Sequence, residues 1–195
     1  MSHESKKVQF EELSREVASC GACGLCVGAK NRVMGEGNLD SQVVFVGEAP
    51  GRREDETGHP FVGLAGKLLD RLLAEANLSR SGVFITNVVR CRPPRNRRPK
   101  REEVEACSVH LERLLEIIEP EVIAPMGNSA IEHIFERFGI KKSVIGDAHG
   151  KLNRVEVPWG NALVYPLYHP AAAIYNRKLL VELQGDMVGL SKLLV

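Results

Sequence analysis

The chain has 195 residues, 44% of them hydrophobic and 26% charged, with a formal net charge of +1. That length suits one domain, 1–195, which buries about 70% of its unfolded-chain surface, and the apolar content excludes a disordered or low-complexity chain. No apolar run approaches the about 20 residues that cross a bilayer, and the start has no signal core, so a soluble, cytoplasmic protein without membrane contact is expected.

A first helix is predicted over 8–19, with Val8, Leu13 and Val17 on one face. Residues 42–47 form a β-branched run closed by a glycine, the pattern of a buried strand. Over 64–77 the residues Leu64, Leu68, Leu69, Leu72, Leu73 and Ala76 recur at helical spacing, and 83–89 reads as a second strand. Next comes a basic segment holding Arg90, Arg92, Arg95, Arg97, Arg98, Lys100 and Arg101 with no acid. It leaves the remainder of the chain at −6, the total of +1 less +7. Pro93, Pro94 and Pro99 make it stiff and extended, and such a field draws phosphate. A helix follows over 101–118, its inner stripe Val104, Cys107, Leu111, Leu114, Leu115 and Ile118, until Pro120 stops it. A strand over 121–127 leads to a helix ending near Gly139, for which Asn128 or Ser129 is the expected cap. Strands over 152–157 and 162–168 and a last helix over 178–194 complete the chain. Strands alternating with helices argue a parallel, doubly wound α/β sheet in one domain.

Five cysteines are an odd number, and a cytoplasmic setting disfavours structural disulfides. Cys20 and Cys23 are two residues apart, Cys26 follows at the same spacing, and Cys91 and Cys107 flank the basic segment. Two such pairs supply the four thiolates of tetrahedral zinc or of an iron–sulfur cluster. A simple ferredoxin run would need a cysteine at position 30, which is Lys30.

Ligands of doubly wound sheets bind beyond the carboxyl ends of the strands. Gly47-Glu48-Ala49-Pro50-Gly51, Asn87 and His169-Pro170 all fall there. Ala49 replaces the second glycine of a dinucleotide fingerprint, and no Gly-Lys-Ser/Thr follows, so nucleotide-cofactor chemistry loses ground.

The chain resembles the family 4 uracil-DNA glycosylases, the iron–sulfur branch of their superfamily, over about 20–176. The resemblance is carried by Gly47-Glu48-Ala49-Pro50-Gly51, Glu54-Asp55, Gly58-His59-Pro60-Phe61-Val62-Gly63, Thr86-Asn87-Val88-Val89-Arg90-Cys91-Arg92-Pro93-Pro94 and Tyr168-His169-Pro170-Ala171 in this order. It implies a three-layer α/β/α sandwich around a four-stranded, mainly parallel sheet, and hydrolysis of the bond between uracil and deoxyribose in DNA. It also implies one [4Fe-4S] cluster held by Cys20, Cys23, Cys91 and Cys107, with Cys26 spare. A monomer acting on single- or double-stranded DNA is the corresponding expectation.

The chemistry of the residues agrees. Phe61 suits stacking on a flipped pyrimidine, and the Asn87 amide can accept from uracil N3–H while donating to O4. His169 can stabilise charge growing on uracil O2. Ala49 stands where related families place a water-orienting aspartate, which leaves Glu54 as the expected water partner and Glu48 as the wall against a thymine methyl. Arg90, Arg92, Arg95, Arg97, Arg98, Lys100 and Arg101 are candidates for DNA phosphates, and Ile174 or Tyr175 for the wedge that fills the gap left by the flipped base. Three rivals are weighed: a metal-containing DNA-binding module without activity, an electron carrier, and a related branch that traps DNA through a loop histidine. The stretch 92–106 contains no histidine, which argues against the last.

Overall fold

A computed structural model describes residues 2–194. Helix α1 (His3–Ser19) leads through the first cysteines and the one-turn α2 (Leu25–Gly28) to a two-residue strand, β1 (Glu36–Gly37). Strand β2 (Val43–Gly47) is followed by α3 (Arg52–Thr57), α4 (Leu64–Glu75) and β3 (Phe84–Asn87). The basic segment then enters α5 (Arg101–Ile118), β4 (Val122–Pro125) and α6 (Asn128–Arg137). A short α7 (Ile145–Ala148) and the hairpin of β5 (Asn153–Val157) and β6 (Gly160–Val164) precede α8 (Pro170–Ala173) and α9 (Arg177–Ser191).

One six-stranded sheet runs in the order β1-β3-β2-β4-β6-β5. Strands β3, β2, β4 and β6 are parallel, while β1 and β5 pair antiparallel at the two edges. The four strands expected are therefore the centre of a sheet of six. The extra edges come from a Glu-Gly pair too short to carry a pattern and from a hairpin that turns β5 back on β6. Alternation along the central strands sends Val44, Val46, Phe84 and Ile123 to a core under α1, α5 and α6. Val43, Phe45, Ile85 and Ala124 go to a second core under α4 and α9. These are the three layers of the α/β/α sandwich.

Several local expectations shift. Val8 is 47% exposed, and Lys6 takes its place in the buried stripe of α1 with Leu13 and Val17. At 100° per residue Val8 lies about 140° around the helix from Leu13, whereas Lys6 lies nearly in line with it. The buried ammonium donates to the Ile118 carbonyl at 2.8 Å, at the end of α5. Leu64 is 66% exposed at the first turn of α4. Gly127, not Asn128 or Ser129, occupies the N-cap of α6, because the Asn128 side chain accepts instead from the Ile145 amide at 2.9 Å. The basic segment is not uniformly extended: Pro94–Asn96 closes a 3₁₀ turn with Arg95 at φ 55°.

Candidate active site

The chain leaves β2 for β3 on one side and returns to β4 on the other, so the order reverses at the carboxyl end of β2. Parallel register sets Gly47 beside Asn87 there, and the Val88 amide donates to the Gly47 carbonyl at 2.8 Å. A cavity of about 520 Å³ opens at this edge, and Glu48, Ala49, Glu54, Phe61, Asn87 and His169 all line it. Residues separated by more than a hundred positions thus meet at one place.

The Phe61 loop is held from both ends. Glu54 Oε1 accepts from the amides of Val62 and Gly63, each at 2.9 Å. Arg80 donates to the carbonyls of Pro60 at 2.6 Å and Phe61 at 3.4 Å, and it is itself paired with Glu36 and Asp70. The clamp keeps Phe61 at φ 52°, a left-handed conformation that a bulky residue rarely adopts. Two glycines make the approach possible. A Cβ on Gly66 would lie 1.7 Å from the Phe61 carbonyl oxygen. One on Gly47 would lie 2.5 Å from Asn87 Oδ1 and 2.7 Å from the Phe61 ring.

Asn87 is 2% exposed, and its side-chain amide makes no hydrogen bond with another described residue. The His169 ring centroid lies 5.7 Å from that of Phe61. His169 Nδ1 accepts from the Ala171 amide at 3.2 Å, which puts the ring proton of the neutral form on Nε2. Burial lowers this imidazole to about 4, against the pull of the Glu54 carboxylate, so it is neutral at pH 7. Glu48 and His169 border the main cavity and also a second one of about 310 Å³, which Arg98 lines as well.

The five cysteines line a separate small cavity together with Arg32, Arg90 and His110. No three His, Cys, Asp or Glu side chains among the described residues stand at metal-ligating distances. The thiols nonetheless act on one another: burial, then Cys107, with smaller pushes from Cys23 and Cys20, raises Cys91 to about 12. Burial also raises Cys107, to which Cys23 and Cys20 add, while Arg90 lowers it. Two arginines meet these thiols. Arg90 Nε and Nη2 and Arg32 Nε are buried without a hydrogen-bond partner. Orphaned cationic donors beside a cysteine-lined cavity fit an anionic, thiolate-held group.

The basic segment divides into paired and free charges. Arg97 forks onto Glu103 at 2.8 and 2.6 Å, Arg98 pairs with Glu132, Lys100 with Glu102, and Arg101 with Glu105. Acids of α5 and α6 thus neutralise much of a field that reads as bare along the chain. Arg92 donates to the Asn96 side chain, and Arg95 is exposed with no ion-pair partner among the described residues. Arg90 is 1% exposed and reaches no phosphate; its backbone donates to Cys107 Sγ at 3.4 Å and its side chain turns inward. Tyr175 is 90% exposed and Ile174 half-buried, and neither borders the main cavity, although Ala171 does. Sequence reading missed Arg80 and misassigned Arg90, and no local pattern marks either as inward-facing.

An α/β sandwich with a cavity of about 520 Å³ at its switch point, lined by a buried aromatic ring and a facing amide, has the makings of an enzyme that reads a planar heterocycle. Residues 34–186 match the model of the Uracil DNA glycosylase superfamily, and the chain belongs to that family. It is 47% identical to the Type-4 uracil-DNA glycosylase of Saccharolobus solfataricus over 174 residues, covering 87% of this chain and 81% of the relative. With the Type-4 uracil-DNA glycosylase of Archaeoglobus fulgidus it shares 46% over 185 residues, covering 94% and 92%. That of Sulfurisphaera tokodaii is 43% identical over 187 residues, covering 95% and 85%.

Proposed function

We propose that the chain is a uracil-DNA glycosylase of base-excision repair, which hydrolyses the N-glycosidic bond of a flipped uracil and leaves an abasic site. The observation that carries this reading is the unpartnered, buried Asn87 amide beside Phe61 and a neutral His169 in one cavity. Phe61 stacks on the base. Asn87 Oδ1 accepts from N3–H and its NH₂ donates to O4, whereas cytosine reverses both groups and leaves the site unpaired. Glu48 walls the C5 edge against a methyl group.

As the bond breaks, charge collects on uracil O2. His169 Nε2–H donates to it, and because the neutral ring holds that proton firmly it stabilises the anion without giving the proton up. A donor of this kind is worth about 3 kcal/mol. Water adds its oxygen to the oxocarbenium-like C1′, and its second proton passes to solvent as the uracil anion later takes one up. Glu54 holds the loop through Oε1, leaving Oε2 to orient the water or offset the sugar's positive charge.

Cys20, Cys23, Cys91 and Cys107 hold one [4Fe-4S] cluster in this reading, with Cys26 outside the set; the bound cluster supplies a structural staple for the segment between Cys91 and Cys107. Arg92, Arg95, Arg97, Arg98 and Lys100 lie along that segment toward DNA phosphates, and Tyr175, the more exposed of the wedge pair, enters the duplex. The protein works as a single-domain monomer on single- or double-stranded DNA, in the cytoplasm. Incubation with matched uracil- and thymine-containing oligonucleotides, then alkali and a gel, tests the activity. Breaks at uracil alone are expected, and no break at uracil overturns the reading. Anaerobically purified protein should be brown with about four irons; stoichiometric zinc without iron would overturn the cluster.

A further inference from the structure

We infer that Arg90 is a positioning residue that ties the base-reading end of β3 to the charge held by the cysteine cavity. The inference rests on the uracil reading above and adds a link between its two separate sites.

The Arg90 side chain is 1% exposed, and no carboxylate pairs with it among the described residues. One nitrogen, Nη1, gathers the carbonyl of Met34 at 3.2 Å, the hydroxyl of Thr86, and the carbonyl of Asn87 at 2.9 Å. Thr86 in turn donates to the same Met34 carbonyl at 2.9 Å. The other two nitrogens have no partner, and they belong to a side chain that lines the cysteine cavity. The Arg90 backbone amide also donates to Cys107 Sγ at 3.4 Å, so main chain and side chain both meet the cysteine cavity.

A guanidinium is a rigid planar fork, so fixing two of its nitrogens fixes the third. A buried cation persists only when opposite charge stands beside it. With its two unpartnered nitrogens engaged by the anionic group that the cavity would hold, the fork is anchored there and holds the Asn87 backbone, and with it the amide that reads the base. Without that charge the hold on Asn87 slackens. Arg90 therefore acts on base binding and discrimination, while the bond-breaking step, which belongs to His169, is spared. It stands beside Cys91 in the chain and four residues after Thr86, so a single side chain joins cavity and pocket.

Thr86→Val tests the bridge while leaving every cysteine, Arg90 and Asn87 unchanged. The variant should retain the iron content and visible spectrum of the parent. Its KM for a uracil-containing single strand should rise about tenfold or more, from the loss of the hydroxyl's hydrogen bonds to Arg90 and to the Met34 carbonyl, with kcat within twofold. Preference for uracil over cytosine should fall with it, and Thr86→Ser should restore both. Arg90→Met should lose iron and base reading together, and Arg90→Lys, which keeps the charge but not the fork, should hold iron better than it holds KM. A Thr86→Val protein with full iron and the parent's KM overturns the link, as does one whose kcat alone falls. A parent protein inactive on uracil would instead refute the reading on which the link rests.

Discussion

The proton on His169 is placed by one backbone amide. Because Ala171 donates to Nδ1, Nε2 is the nitrogen left to face a growing oxyanion, and burial holds the ring near 4 instead of its ordinary 6.5. A folded-state value below the unfolded one means that the native ring stays neutral while the unfolded ring charges. Stability contributed by the neutral ring is thus full above about 6.5 and declines as pH falls toward about 4. In the same way kcat/KM should stay flat from pH 8 to about 5 and drop through about 4, where a proton on Nδ1 would repel the Ala171 amide. A bend near pH 6.5 in that profile would show an ordinary, solvated imidazole. His169→Ala should bind uracil strands normally but slow single-turnover cleavage by about 100-fold or more; rates within a factor of two of the parent would remove it from the mechanism. At the facing wall, Asn87→Asp puts an acceptor against uracil O4 and beside the amino group of cytosine. It should lose most uracil cleavage and gain relative cytosine cleavage on single strands, each mismatched bond costing about 1–3 kcal/mol. Equal uracil cleavage by the Asp and Ala variants and the parent would make Asn87 a structural strand end.

The segment from β2 to α4 works as one element, since the Phe61 loop has no regular structure and takes its shape from its clamps. A bulky residue at positive φ stores about 1–3 kcal/mol of strain. Glu54 on the amides and Arg80 on the carbonyls offset it, with Glu36 and Asp70 fixing the arginine. Arg80→Met should leave α4 and the sheet folded but free the loop to rotate Phe61 out of the cavity. KM for uracil strands should rise about tenfold, with a smaller change in Arg80→Lys, which keeps one of the carbonyl bonds. Loss of kcat alone, at unchanged KM, would show that Arg80 does not position the stacking ring.

Across the whole molecule, the near-zero net charge hides a basic ridge whose charges are unequally available. Arg97 is committed to Glu103, which also accepts from the Lys100 amide at the start of α5, whereas Arg95 stands free on the 3₁₀ turn. Arg95→Ala should therefore reduce the slope of log affinity for DNA against log salt by about 0.9, with the melting temperature unchanged. Arg97→Ala should lower the melting temperature more than the slope, because it strips Glu103 of its partner. An unchanged slope for Arg95→Ala would mean that the turn does not meet phosphate.

The alternation of apolar strands and amphipathic helices was legible along the chain because both patterns repeat within a few residues. The strand-end motifs were legible for a related reason: in a doubly wound sheet any residue just past a parallel strand arrives at one edge, so Glu48, Asn87 and His169 belonged together before their distances were known. Cysteine spacing likewise announced a shared site, though not which cations would surround it. What only the tertiary structure decided is the partner of each charge. Lys6 displaced Val8 from the core because the end of α5 offered it a carbonyl. Glu54 became the brace of a loop, and Arg90, which reads as one more basic residue in a run, turned inward because Met34, Thr86 and the cysteines surround it. Hydrophobic periodicity is a property of neighbours in sequence; the burial and pairing of a charge depend on groups brought close from distant parts of the chain.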